Sequence, residues 1–232
     1  KGLAKPKLLP IVSAFPDYGR LAETAVLLEN KYKYDPDNAE EIIIEELEGM
    51  GAELVDGKWT YDGEVVTLKM LIRTEDQRKE IGDYVSDLLE GLGFETDRMY
   101  RTSAEASPIW LYGDPADGEF HIYTGGWIST VISRDDADNF AYYYTNMGLP
   151  FPLYMAYEND PKFYDAARRL DAGEYATWEE RMDLMKTCAT LALEESERVF
   201  LVDQLAPFVR RQDIEVAFDL SGGYSNPLWA LT

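Results

Sequence analysis

The chain of 232 residues holds one histidine, His121, and one cysteine, Cys188. These are the residue types that most often supply a general base, a nucleophile or a metal ligand near neutral pH. One imidazole excludes the two-histidine metal motifs, and one thiol excludes an intrachain disulfide or a zinc site of several thiolates. His121 falls in the strand-like run Phe120-His121-Ile122-Tyr123, with no nucleophile or orienting acid assignable to it, so it reads as structural. Cys188 lies among apolar neighbours in a helical pattern and reads as a buried, inert thiol. Carboxylates are plentiful, at 44 Asp and Glu. Runs such as Glu40/Glu41, Asp135/Asp136/Asp138 and Glu194/Glu195/Glu197 follow from that abundance, and no spacing marks two carboxyls converging across a cleft as a glycosidase requires. Residues 134–138 lack the glycine and the closing glutamate of a calcium loop. No phosphate-cradling or nucleophile-elbow glycine motif occurs. The reading is therefore a non-enzyme with no catalytic residue, no metal ligand and no cofactor.

Thr124-Gly125-Gly126-Trp127 stands apart from these. Two glycines after a strand let the backbone turn sharply and approach another group closely. The carboxyl ends of strands are where open α/β sheets bind ligands. Trp127 is then either presented at the strand's exit or packed beneath a loop, and the residues alone leave both open. Ser129 and Thr130 follow on the same stretch and offer uncharged hydroxyls.

The elements that position this segment alternate. Residues 1–20 read as irregular around Pro6, Pro10 and Pro16, and 20–30 as a short helix. Asp35 caps a helix that Pro36 opens, with Ala39, Ile42, Ile43, Leu47 and Met50 on one face and Gly51 at its end. Residues 58–62 form a strand, Asp62-Gly63 a turn, and 65–72 a second, alternating strand. A helix over 74–92, capped by Thr74 or Glu75, carries Ile81, Val85, Leu88, Leu89 and Leu92 inward, and 94–101 returns as a strand. That series is a βαβ unit with parallel strands. A helix over 103–112 is interrupted at Pro108, and a third strand spans 120–124. Helices over 136–146, 161–172 and 177–197 and short strands over 199–203 and 206–209 complete an α/β fold with a mixed sheet. Residues 1–30 are a lead-in, and 31–232 one domain.

The net charge of −22 argues against nucleic acid as a partner and opposes docking on anionic lipid. No apolar run approaches the roughly 20 residues that cross a bilayer. The chain starts at Lys1 without methionine or an apolar leader, as a mature or excised protein does. The acidic excess is spread along the chain and reads as a solvated surface.

Three ordered pieces resemble the extracytoplasmic solute-binding proteins of ABC importers, in the oligopeptide/dipeptide-binding branch known as family 5. They are residues 34–39 running on through Leu47 to Gly51, then residues 66–74 with 88–95, then Gly118-Glu119-Phe120-His121 followed by Gly126-Trp127. Residues 177–207 fit a late helix and strand of the same family. The resemblance implies one lobe of a two-lobe fold, the C-terminal ligand-binding lobe, whose partners are a small-molecule or peptide ligand, the N-terminal lobe and the membrane permease. It implies an extracytoplasmic location and no catalysis. It also moves Trp127 to the cleft, with Gly125, Gly126, Ser129 and Thr130 as ligand-binding residues. Peptide-binding members place an aspartate where Thr130 stands, so the ligand is not tied to a free amine. A ligand-sensing regulatory module with the same fold is the alternative.

Overall fold

The computed structural model describes residues 2, 4–13, 15–126, 137–205 and 209–213. They group into two compact units: 1–32, 127–149 and 157–232 in one, 33–126 and 150–156 in the other.

The second unit is the α/β part. Helix α3 (Pro36–Gly49) opens as expected, with Pro36 in its first turn and the Asp35 carboxylate accepting from the Asn38 N–H at 3.4 Å. Its inward face is narrower than the apolar spacing suggests. Ile43 and Leu47 pack on the cluster of Ala52, Trp59 and Phe94, while Ile42 and Met50 stay exposed. Strands β2 (Glu53–Val55), β3 (Lys58–Tyr61) and β4 (Glu64–Val65) form an antiparallel meander. Its turns are Asp56-Gly57 and Asp62-Gly63, all four with positive φ, the conformation two-residue hairpins favour. Strand β2 is missing from the sequence reading because three exposed residues carry no alternation to detect.

Strand β5 (Thr67–Arg73) pairs in parallel with β6 (Glu95–Arg101) on one side and β7 (Ile122–Tyr123) on the other. The βαβ unit is thus present. Met70, Leu71 and Ile72 are fully buried, as a central parallel strand covered on both faces requires. Helix α4 (Arg78–Gly91) covers one face, and a Cβ added at Gly82 would lie 2.8 Å from the Ile72 side chain. Helix α5 (Ser103–Trp110) covers the other. Its Trp110 stacks on Tyr123 at 5.0 Å, and Tyr123 is the partner of Leu71 in the register. Successive strand residues point to opposite faces, so Ile72 and Leu71 assign the two helices to opposite sides. The α/β class holds, and the parallel and antiparallel pairings lie in separate small sheets.

Two boundaries differ from the sequence reading. Helix α4 starts at Arg78, not at 74, because Thr74 and Glu75 bond outside the helix, to Arg101 and to Arg73 and Ser103. The buried line of α4 is Gly82 and Ser86, small residues over the strand; Val85 and Leu89 are half-buried and Leu88 is exposed. A short helix α7 (Pro152–Met155) also belongs to this unit.

The first unit is mainly helical: α1 (Pro16–Arg20), α2 (Ala22–Lys31), α6 (Ala137–Tyr144), α8 (Pro161–Asp171) and α9 (Trp178–Glu195). Residues 1–20 are therefore not wholly irregular, since Pro16 sits in the first turn of α1, where its missing N–H is harmless. Residues from α2, α6, α8 and α9 share one core, with Phe140, Tyr144, Phe163, Met185 and Cys188 inside it. Strand β1 (Ala4–Pro6) pairs antiparallel with β8 (Val202–Gln204). Of the expected strand over 206–209, residues 206–208 lie outside the described residues and Val209 is exposed. Asp17 and Arg181 are both buried and meet at 2.8 Å inside this unit. The Arg20 and Arg181 guanidinium groups lie 4.8 and 4.7 Å from the Trp178 ring.

Candidate ligand-binding site

From β5 the chain crosses through α4 to β6 on one side, then returns through α5 to β7 on the other. The connections diverge between β5 and β7, and at such a switch point the carboxyl ends of the strands leave a crevice. The side chains there are those of Arg73, Glu75, Arg78, Tyr123 and Thr124, beside Gly125 and Gly126.

Arg73 ends β5 on the face it shares with Leu71 and Tyr123. Its Nε and Nη2 donate to the two Glu75 carboxylate oxygens at 2.8 and 3.1 Å, and its Nη1 donates to the Tyr123 hydroxyl at 3.0 Å. The Arg73 N–H donates to the Thr124 hydroxyl at 2.9 Å, so Thr124 continues the ladder past the strand end. Glu75 also accepts from the Ser103 N–H at the start of α5. The bonds from Arg73 first, then from Ser103, hold the Glu75 carboxyl down to about 2. The Arg78 guanidinium donates to both Asp76 oxygens at 2.8 and 2.7 Å and holds that carboxyl below the usual range against the opposing effect of burial. Thr102 and Glu105 cap α5 reciprocally. Each of these cationic or N–H donors is thus already matched by a carboxylate or hydroxyl of the chain. What the described side chains of the rim leave to offer are hydroxyls and aromatic faces.

Gly125 and Gly126 follow β7 after Thr124, and both are exposed. The Gly125 N–H donates to the Tyr123 carbonyl at 3.0 Å, a three-residue turn. Neither glycine has positive φ; the close approach is at Gly126, where a Cβ would stand 3.0 Å from Arg78 Nη1. Trp127, Ser129 and Thr130 lie outside the described residues. Arg73, Glu75 and Tyr123 were not singled out from sequence. The available signal was a charged or tyrosyl residue beside the end of a predicted strand, Arg73 after 65–72 and Tyr123 within 120–124, and Thr102-Ser103-Ala104-Glu105 is a legible capping box.

His121 is structural in the sense expected: its Nδ1 accepts from the Lys69 backbone N–H at 2.9 Å, while its backbone N–H donates to the Lys69 carbonyl at 2.9 Å. Burial pushes the Cys188 thiol up and keeps it protonated. Among the described residues no group of three or more His, Cys, Asp or Glu side chains is placed to hold a metal.

No family model and no curated protein matches the chain. Solved structures do. NikZ from Campylobacter jejuni, in complex with Ni(L-His), aligns with TM-score 0.62 at 17% identity, over 87% of this chain and 37% of its own. A nickel ABC transporter protein from Bacillus halodurans gives 0.61 at 17% identity, over 88% and 38%. The oligopeptide-binding protein AppA from Bacillus subtilis, in complex with a nonapeptide, gives 0.57 at 16% identity, over 74% and 32%. The chain has the fold of part of a solute-binding protein. It spans little more than a third of the first two relatives' length. At the β5/β7 strand ends Arg73 and Arg78 are each paired with a carboxylate, and no described helix is long and apolar enough to cross a membrane.

Proposed function

We propose that this chain is the ligand-binding lobe of an ABC importer's solute-binding protein, in the oligopeptide/dipeptide-binding branch, acting outside the cytoplasm and without catalysis. The observation that carries the reading is the match of most of the chain to proteins solved with a nickel chelate and with a peptide. The rest of the longer protein supplies the facing lobe, and a membrane permease receives the ligand. Gly125, Gly126, Trp127, Ser129 and Thr130 line the ligand's place beyond β7, where the Trp127 indole covers an apolar or sugar-like face.

The rim favours a ligand without net negative charge. Arg73 and Arg78 are each already bonded to a carboxylate, Glu75 and Asp76, so among the described residues of the rim both arginines are already matched against an incoming anion. The overall charge of −22 adds a repulsive field. A threonine at 130 does not balance a desolvated ammonium, so the ligand is neutral, or carries its charge away from that point.

The test is mass spectrometry of the small molecule that co-purifies with the full-length protein, followed by calorimetry. Trp127→Ala is expected to weaken binding of that molecule by about 1–3 kcal/mol, the scale of a buried aromatic contact, with the fold unchanged by circular dichroism. Unchanged affinity removes Trp127 from the site. Turnover of peptides or glycosides that disappears with one carboxylate overturns the binding reading itself.

A further inference from the structure

The end of α9 gathers negative charge where a helix tolerates it least. Glu194 and Glu195 close the helix and Glu197 follows two residues after its end, at the pole where the helix dipole is itself negative. Ser196 between them takes a left-handed φ of 53° and turns the chain back; its hydroxyl donates to the Leu193 carbonyl at 2.7 Å. The segment leading into α8 lies against this turn. The Asp160 N–H donates to Glu195 Oε1 at 2.7 Å. The Asn159 side-chain nitrogen lies 2.8 Å from the Tyr144 carbonyl, 3.5 Å from Glu195 Oε2 and 3.5 Å from Glu197 Oε1.

The hydrogen count does not close. An amide nitrogen carries two hydrogens, and three acceptors surround this one. The firmest bond goes to Tyr144, leaving one hydrogen for two carboxylates. Glu195 has the Asp160 N–H as well. Glu197 has no such second donor: its Oε2 is buried without a hydrogen-bond partner. An ionised oxygen so placed carries a large desolvation cost, and a proton removes it. We infer that Glu195, Asn159 and Glu197 form a proton-operated latch that ties the entry of α8 to the exit of α9, closed when Glu197 is protonated and loosened when it ionises.

The groups facing Glu197 pull in opposite directions. Glu195 repels its charge. Arg198 favours it, although that guanidinium also donates to the Tyr143 carbonyl at 3.0 Å and to the Tyr157 hydroxyl at 3.4 Å and lies over the Tyr143 and Tyr144 rings. Tyr144 from α6, its hydroxyl pushed up by burial, and Tyr157 from the α8 lead-in also face it, and Asp160 faces Glu195 through its backbone. Burial, with Glu195 second, outweighs Arg198 and pushes the Glu197 carboxyl up to about 7. A carboxyl raised from 4.5 to about 7 on folding binds its proton more tightly in the folded chain. Stability from this cluster is therefore whole below 4.5, falls as pH rises to about 7, and is level above.

The experiment is a carboxyl-carbon NMR titration of the whole chain, with amide exchange at Asp160 followed over the same pH range. The expected result is a Glu197 midpoint near 7 and protection at Asp160, corrected for intrinsic exchange, that falls through that midpoint. Glu197→Gln is expected to keep Asp160 protected on both sides of it, and Glu195→Gln to lower the Glu197 midpoint. A Glu197 midpoint at the ordinary glutamate value of about 4.3, or the same pH dependence at Asp160 in Glu197→Gln, overturns the latch. If Glu197→Gln does not fold, the titration of the unaltered chain decides.

Discussion

In the mainly helical unit, Asp17 and Arg181 are 164 residues apart in sequence and meet inside the core. In the α/β unit, Arg73, Arg78, Glu75 and Asp76 pair at the ends of strands, where water reaches the carboxylates. The first arrangement joins distant segments: α1 comes from the start of the chain and α9 from its last quarter. The second joins neighbours two residues apart and leaves the end of the sheet open. A buried ion pair favours one packing of its partners over others, whereas an exposed pair contributes little stability and sets what a surface attracts. Rigidity in one unit and an accessible rim in the other are what the proposed ligand-binding role requires.

The largest effect that tests this contrast is at the buried pair. Asp17→Ala is expected to cost about 3–5 kcal/mol, the scale of removing one partner of a buried ion pair. Hydrogen exchange should show the loss in α9 and α8, with β5 and β6 still protected. Replacing both partners with apolar residues, Asp17→Leu with Arg181→Met, should recover most of the loss. A full loss in the double variant would mean that the pair does more than neutralise itself. Loss of protection in β5 to the same degree would mean that the two units unfold together.

The α/β unit has its own sensitive point, at Gly82. A methyl group there meets Ile72 Cγ1 and Cγ2 at 2.8 Å, atoms close to the backbone of a fully buried strand residue. Gly82→Ala is expected to destabilise this unit by about 1–3 kcal/mol through overpacking. Shortening the neighbour with Ile72→Val should relieve part of that loss, so that the two substitutions together cost less than their sum. Chemical denaturation of the single and double variants measures the coupling. Strict additivity would show that α4 does not press on β5 at this position.

How far the chain declares these features depends on how local they are. Asp35 before Pro36 and Thr177 before α9 cap their helices within three residues, and both helices are legible to within a residue or two. The Asp62-Gly63 turn and the parallel pairing of β5 with β6 follow from short patterns in the same way. The start of α4 is not legible, since Thr74 and Glu75 look like caps until Arg101, Arg73 and Ser103 claim them. Of the candidate site, Gly125 and Gly126 are marked by type and position alone. The Arg73–Glu75–Tyr123 group is not, because its members become neighbours only when β7 lies down beside β5. The inward face of α3 was overestimated for a related reason: apolar spacing shows which residues share a face but not how much of that face a neighbour covers.

The smallest expected effect separates the units by the sign of their response to pH. At the rim, the bonds from Arg73 and Ser103 hold the Glu75 carboxyl down to about 2, from an ordinary 4.5. A carboxyl lowered on folding contributes its stability above 4.5 and loses it as pH falls towards about 2. The gain is small because Glu75 is exposed and its pairing is screened by water and salt. In the helical unit Glu197 acts in the opposite sense, its contribution falling as pH rises between 4.5 and about 7. Region-resolved exchange across pH 3 to 8 should therefore show the N-terminus of α5 gaining protection over the acid half of the range and the α8–α9 junction losing it over the upper half. Glu75→Gln should flatten the first response and leave the second, while Glu197→Gln should do the reverse. If either substitution flattens both, the two carboxyls report one shared transition, and the contrast between an exposed rim and a buried joint gives way to a single cooperative body.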